Sequence, residues 1–589
     1  MLGYRSIKYL ALAALLFALA LPAPARAAEA VVSGPVGEKV DRFMSRLEGF
    51  GFAGSLLVAK DGKVIVHKGY GLADREKKVP WTAETGFDIG SITKQFTAAA
   101  ILKLEMEGKL KVTDPIGKYF GEVPADKAGI TIHHLLTHSS GLEGDFGGDY
   151  EEATRDGVVL KALGSKLLWA PGTRYQYSNA GYSLLGAIVE IVSGQPYETF
   201  LQEKIWKPAG LARTGYKAPK WAPGSLAHGY RGALDTGTPL DQIWGPDGPW
   251  WNLRANGGVL STTGDLFKWH QALEGEVVLS KAAKEKYFTP HMPEDEEGSS
   301  HYGYGWAVMK TPRGTRLISH NGGNGIFAAD FRRYVDEGVA ILIGSNQSDF
   351  SSIPVSNQVA RILFGMEYVE PPAVVKVDPK TLERYAGTYT LLSGGRFTVT
   401  AAPADFAGRP RLSIAPEGGD ALGLLAGGGA QAAPGNEEMG KRVVAALEKS
   451  LTGDYAPLAA VYGVPLAQAE AETKRDRARL EERHGAFKSF ELLGTAAAGG
   501  RTVTFVRFHF ERGSTLAEYG WDGQAVSNIR ILDSLPGGTF VPVGSGELAS
   551  FDPRSRTVTL VGFEAAGDAA ATALVVRAPG GDVKAERFK

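Results

Sequence analysis

"FDIGSITKQFTAAAI", residues 87–101, places a serine and a lysine three positions apart at the entry to an apolar helix. The helical spacing of apolar residues continues through "ITKQFTAAAILKLEMEG" and stops at Gly108. Positions i and i+3 share a helix face, with β-carbons about 5–6 Å apart, so the Lys94 amine reaches the Ser91 hydroxyl. The first turn also offers unpaired N–H groups and the positive dipole end, which favour a developing oxyanion. Burial among apolar residues lowers a lysine pKa toward that of a useful base. Serine is equally a common helix cap, and Ser-x-x-Lys arises by chance about once or twice in a chain this long. The pair needs company.

Two stretches supply it. "PGTRYQYSNAGYSLLG", residues 171–186, holds Tyr177-Ser178-Asn179 just before a second apolar helix that ends at Gly194. "LISHNGGNGIF", residues 317–327, holds His320-Asn321-Gly322-Gly323 after a short apolar strand. Serine-x-x-lysine, tyrosine-x-asparagine and basic residue-x-glycine on an edge strand, in that order, form a specific constellation. With it the chain resembles the serine β-lactamase and penicillin-binding superfamily, more closely its class C-like branch of β-lactamases, D,D-carboxypeptidases, D-aminopeptidases and β-lactamase-like esterases. "LKVTDPIGKYF", "ITIHHLLTHSSGL", "NGGVLSTTGDL" and "YGYGW" are similar as well, so the likeness covers residues 41–365.

The resemblance implies a β-lactamase/transpeptidase-like α/β (α+β) fold: an antiparallel sheet flanked by helices, with an all-helical lobe. It implies that Ser91 is acylated, that Lys94 keeps the site positive, and that Tyr177 is general base toward Ser91 and then toward water. Free tyrosine has a pKa of about 10, so that role calls for a cationic neighbour. Asn179 would bond the substrate amide or Lys94. The N–H groups of Ser91 and Gly323 would form the oxyanion hole, with Asn321 and Gly322 along the substrate strand, where glycine permits close approach. No cofactor and no metal are expected.

The sequence departs from the family pattern at His320, where lactamases and transpeptidases usually carry lysine. Histidine is shorter and largely neutral at pH 7, so it grips a substrate carboxylate less well. The departure favours hydrolysis of D-amino-acid peptides, amides or esters. β-Lactamase and carboxylesterase remain alternatives, as does a weakly active penicillin-binding sensor or scaffold of the cell envelope. His134 and His138 stand at the i, i+4 spacing of zinc helices but lack the glutamate of H-E-x-x-H. No Gly-x-Ser-x-Gly elbow and no phosphate-binding loop occur. Phe146, Tyr150 and Trp251, in "EGDFGGDY" and "GPDGPWWNLRANGG", are candidate cleft walls.

The remaining sequence sets the context. The chain has 589 residues, a formal net charge of -1, 44% hydrophobic residues and no cysteine. It is long enough for several cores, bears no electrostatic footprint for nucleic acid, and excludes disulfide and thiolate chemistry. Arg5 and Lys8 precede "YLALAALLFALAL", and Ala25-Arg26-Ala27 has the form of a cleavage site. This reads as a secretory leader over 1–27, leaving a periplasmic or secreted protein without a transmembrane segment. Asp61-Gly62 marks a hairpin, and "GVAILIGSNQS" a buried strand. The hydrolase domain reads as 36–366 and the linker as 367–378. A lipocalin-like barrel over 379–432 and 536–589 encloses an NTF2-like α+β insert over 435–535. In the insert, "VTFVRFHFER" alternates as a half-buried strand. These modules could gate the cleft, bind a partner or mediate self-assembly. The expected ligand is a small-molecule or peptide substrate.

Overall fold

The computed structural model describes residues 30–347, 351–405, 408–425, 436–498, 501–532, 538–567, 569–578 and 580–588. The leader and its cleavage site lie outside the described residues. Among the described residues no helix is long and apolar enough to cross a membrane.

Asp61-Gly62 turns Gly54–Lys60 back on Lys63–Tyr70, with both turn residues at positive φ. This hairpin joins a nine-stranded sheet whose other central strands come from the far end of the first domain. Gly54–Lys60 pairs antiparallel with Val339–Ser345, which continues to Ala328–Tyr334, Arg316–Gly323 and Ala307–Lys310. Val339–Ser345 is buried along its whole length, as an apolar run without alternation requires. The sheet is covered on both faces. On one side Gly34–Gly49 and Ser352–Leu363 press Phe43, Leu47, Val355 and Val359 onto it. On the other lies the larger core, centred on the helix Thr93–Met106. That helix is buried from Thr93 through Leu102 on every side, the environment expected where apolar residues surround a helix.

The C-terminal part is a closed eight-stranded barrel, its first strand Gly387–Leu391 pairing with its last, Gly581–Arg587. Among the described residues, four helices (Gly419–Leu425, Asn436–Leu451, Ala456–Tyr462 and Leu466–His484) and the four-stranded sheet spanning residues 487–532 are inserted between Arg411–Glu417 and Thr539–Gly544. Here the alternation of "VTFVRFHFER" underestimates burial. Val503 and Phe505 pack beside Leu422 on one face while Val506 packs beside Val443 and Leu447 on the other, so both faces are covered along the first half of the strand, while Arg507 and His509 stay partly exposed beside Glu491. The barrel seats on the first domain through Phe551, edge-on to Phe43 and Phe50 at 6.3 and 5.9 Å. Gln358 Nε2 also donates to Pro553 O at 2.9 Å.

Candidate active site

Ser91 lies in a 3-10 turn, Gly90–Ile92, rather than in the α-helix proper, which begins at Thr93. It caps neither element, so the capping alternative does not describe it. One turn later Lys94 is wholly buried. Its Nζ stands 3.0 Å from Ser91 Oγ and donates to Asn179 Oδ1 at 2.7 Å and Asn256 O at 2.8 Å. Asn179 opens the helix Asn179–Ser193, capped by Ser178, whose Oγ accepts from Gly181 N. The side chain at the helix mouth therefore points at the lysine. Asn179 Nδ2 donates onward to Asp145 Oδ1 at 2.9 Å. Tyr177, just before the cap, has its ring centre 4.7 Å from Lys94 Nζ, and the Ser91 hydroxyl acts on its phenol.

The electrostatics divide the two groups. Burial draws the Lys94 ammonium down to about 7, against the opposing pull of Asp145 and Asp149. Burial pushes the Tyr177 phenol well above its ordinary range, only partly offset by Ser91. The contacts suit a neutral amine: two N–H groups meet the obligate acceptors on Asn179 and Asn256, leaving the lone pair for the Ser91 hydroxyl. Asp88 is also buried and is pushed up to about 6, although Gly90 N donates to it at 2.7 Å.

Facing the serine is the last half of Arg316–Gly323. This strand is not an edge along its length, because Ala307–Lys310 pairs with residues 316–319. Beyond Ser319 that neighbour ends, and residues 320–323 keep only Ala328–Tyr334 beside them. Alternate residues of this stretch thus turn backbone groups without a strand partner toward a cleft of about 450 Å³ lined by Ser91, Tyr177, Asn321, Gly323, Gln347 and Ser352. Gly322 sits so close to the serine turn that an added β-carbon would lie 1.9 Å from Ile89 O and 2.8 Å from Ser91 N. One on Gly90, at φ +53°, would meet Gly323 N at 2.3 Å.

His320 is 6% exposed and turned inward. Tyr302 OH donates to its Nε2 at 2.8 Å, and its Nδ1–H donates to Asn321 O at 2.6 Å. Burial, reinforced by Lys94, pulls it down to about 3, so the ring is neutral. His134 and His138 do not share a helix face, because the helix Ile132–Leu136 ends before His138, which has φ +55°. Among the described residues no cluster suits a metal ion. Phe146 packs toward the main core and Trp251 against Val158 and Ala187; neither lines the cleft. Asn256, Asp145 and Asp149 around Lys94 escaped the sequence reading. Each belongs to a quoted stretch, but no local spacing ties it to the lysine.

This scaffold and site define a serine hydrolase with a β-lactamase-like fold. The chain belongs to the Beta-lactamase family, whose sequence profile matches residues 41–362. Penicillin-binding protein 4* of Bacillus subtilis (strain 168) is 30% identical over 395 residues, 62% of this chain and 86% of that protein. Protein flp of Staphylococcus aureus (strain COL) is 32% identical over 223 residues, 36% of this chain and 44% of that protein. The octameric penicillin-binding protein homologue from Pyrococcus abyssi shares the fold, with a TM-score of 0.52 at 23% identity over 85% of this chain and all of that one.

Proposed function

We propose that the protein is an exported serine hydrolase acting through an acyl-enzyme on Ser91, with D-amino-acid-containing peptides and amides, or related esters, as substrates. The observation that carries this reading is Lys94 Nζ held 3.0 Å from Ser91 Oγ in front of the open backbone of residues 320–323. Neutral Lys94 takes the Ser91 proton as Oγ attacks the carbonyl carbon. The oxygen that becomes negative is received by the N–H groups of Ser91 and Gly323, with Asn321 and Gly322 beside the bound chain. The sequence reading made Tyr177 the base. The electrostatics support giving the first proton to Lys94 and making Tyr177 the relay to the leaving group. Water then repeats the steps in reverse. Export rests on the leader read in residues 1–27.

The charges support the substrate class. His320 is neutral with both nitrogens engaged. Among the described residues no lysine or arginine lines the cleft at Ser91, and the negative charges of Asp145 and Asp149 act on Lys94. A substrate carboxylate finds no cation here, whereas an amide or ester with a free amine suits the field. Nitrocefin carries a carboxylate, p-nitrophenyl butyrate no charge and D-alanyl-p-nitroanilide an ammonium. On one purified sample kcat/KM is expected to rise in that order. Nitrocefin turned over best would overturn the assignment.

The pH dependence follows from Lys94. Below about 7 its amine is protonated and cannot accept the serine proton. A profile of kcat/KM from pH 5 to 9 on the uncharged ester is therefore expected to rise through about 7 and level off above it. Asp88→Asn is expected to leave that limb in place. A profile flat down to pH 5 would contradict the neutral-lysine reading.

A further inference from the structure

We propose that His138 is the positioning residue for Tyr177, gripping the chain on both sides of the phenol. The inference rests on the reading of Tyr177 as a proton carrier. Gln176 N–H donates to His138 O at 2.8 Å, and Ser178 N–H donates to His138 Nδ1 at 3.0 Å. One histidine thus holds the amides immediately before and after Tyr177. The two acceptors converge because His138 is left-handed, at φ +55°. Non-glycine residues rarely adopt that conformation, although histidine, asparagine and aspartate do so more often than most.

The ring completes the fixture. It is fully buried, with its centre 4.2 Å from that of Tyr177 and 4.5 and 5.0 Å from Tyr302 and Tyr182. Since Nδ1 accepts, the proton of the neutral ring sits on Nε2, which has no hydrogen-bond partner among the described residues. Burial, with Lys94 and His320 nearby, holds the ring neutral. A protonated ring would lose the Nδ1 acceptor, so neutrality is what the grip requires. Tyr302 continues the contact to His320 and Asn321, which ties the phenol's support to the open strand. The phenol is thereby fixed from behind, beside Ser91 and Lys94. A misplacement of about 1 Å costs on the order of 10²-fold in rate.

Two variants separate positioning from general structure. His138→Asn tolerates the left-handed backbone and keeps a side-chain acceptor, whereas His138→Gly tolerates the backbone and loses acceptor and ring. The acylation step is read from pre-steady-state release of the chromophore, before water enters: D-alanyl-p-nitroanilide, whose amine must be protonated to leave, is compared with p-nitrophenyl butyrate, whose phenolate needs no proton. His138→Gly is expected to lower the acylation rate constant of the amide by about 10²-fold with substrate affinity little changed, and that of the ester by at most about tenfold. His138→Asn is expected to stay within about tenfold of wild type on both. Tyr177→Phe should show the same amide-selective loss. If Tyr177→Phe keeps full amide turnover, the relay reading fails, and the positioning role with it. If Tyr177→Phe shows the loss but natively melting His138→Gly matches wild type, only the positioning inference is overturned. Should the glycine variant not fold, His138→Asn decides: amide turnover within tenfold supports the grip, and a selective loss at a native melting temperature overturns it.

Discussion

Ser91→Ala is expected to lower kcat/KM on amide and ester substrates by about 10⁴–10⁶, the scale on which removal of a covalent nucleophile acts. It should also abolish labelling of that position by a fluorophosphonate or fluorescent penicillin, read by mass spectrometry of the peptide holding residues 87–101. The fold should hardly notice. Ser91 caps neither helical element, and Lys94 keeps Asn179 and Asn256 as partners. The melting temperature is therefore expected to stay within about 2–4 °C of wild type, the shift that about 1 kcal/mol produces in domains of this size. An alanine variant as active as wild type would remove the acyl-enzyme from the account. A long-lived adduct on wild-type Ser91 without turnover would point to the sensor reading instead.

Gly322→Ala is expected to damage both catalysis and stability, because its methyl group has nowhere to go. The β-carbon would stand 1.9 Å from Ile89 O, so either the strand or the serine turn must move. Moving either displaces the Ser91 N–H. Loss of one oxyanion donor costs about 10²–10³ in kcat, and overpacking costs about 1–3 kcal/mol. Gly323→Ala is the control. Its β-carbon meets only Phe327 O, at 3.2 Å, and the backbone N–H is retained, so activity within about tenfold of wild type is expected. Steady-state kinetics and thermal melts of the pair decide the matter. Equal behaviour of the two variants would mean that close approach of strand to turn does not shape the site.

What was legible in the sequence was local. The Asp61-Gly62 hairpin and the helix stops at Gly108 and Gly194 each follow from neighbours within a few positions, where turn and cap chemistry act. The Ser91–Lys94 contact was legible for the same reason, since one helical turn carries a side chain three residues along the same face. Alternation in "VTFVRFHFER" announced a strand but not that Leu422 would cover its second face, because the covering helix lies about eighty residues earlier. The strand at His320 read as an edge, yet its pairing on one side lasts through Ser319 and then stops, a matter of where Ala307–Lys310 begins.

The sequence by itself determined which side chains the site owns: a hydroxyl, an amine, a phenol and a pair of glycines, each in a motif short enough for local geometry to arrange. Only the tertiary structure decided their state. Lys94 reaches about 7 because a buried helix removes water from it, and Asn256 accepts its hydrogen bond from 162 residues away. His320 is neutral because burial and the nearby Lys94 disfavour its charged form, and His138 grips Ser178, next to Tyr177, from 40 residues earlier. The pKa of a buried group depends on the loss of water and on nearby charge. Those are properties of packed space, and no spacing along the chain encodes them.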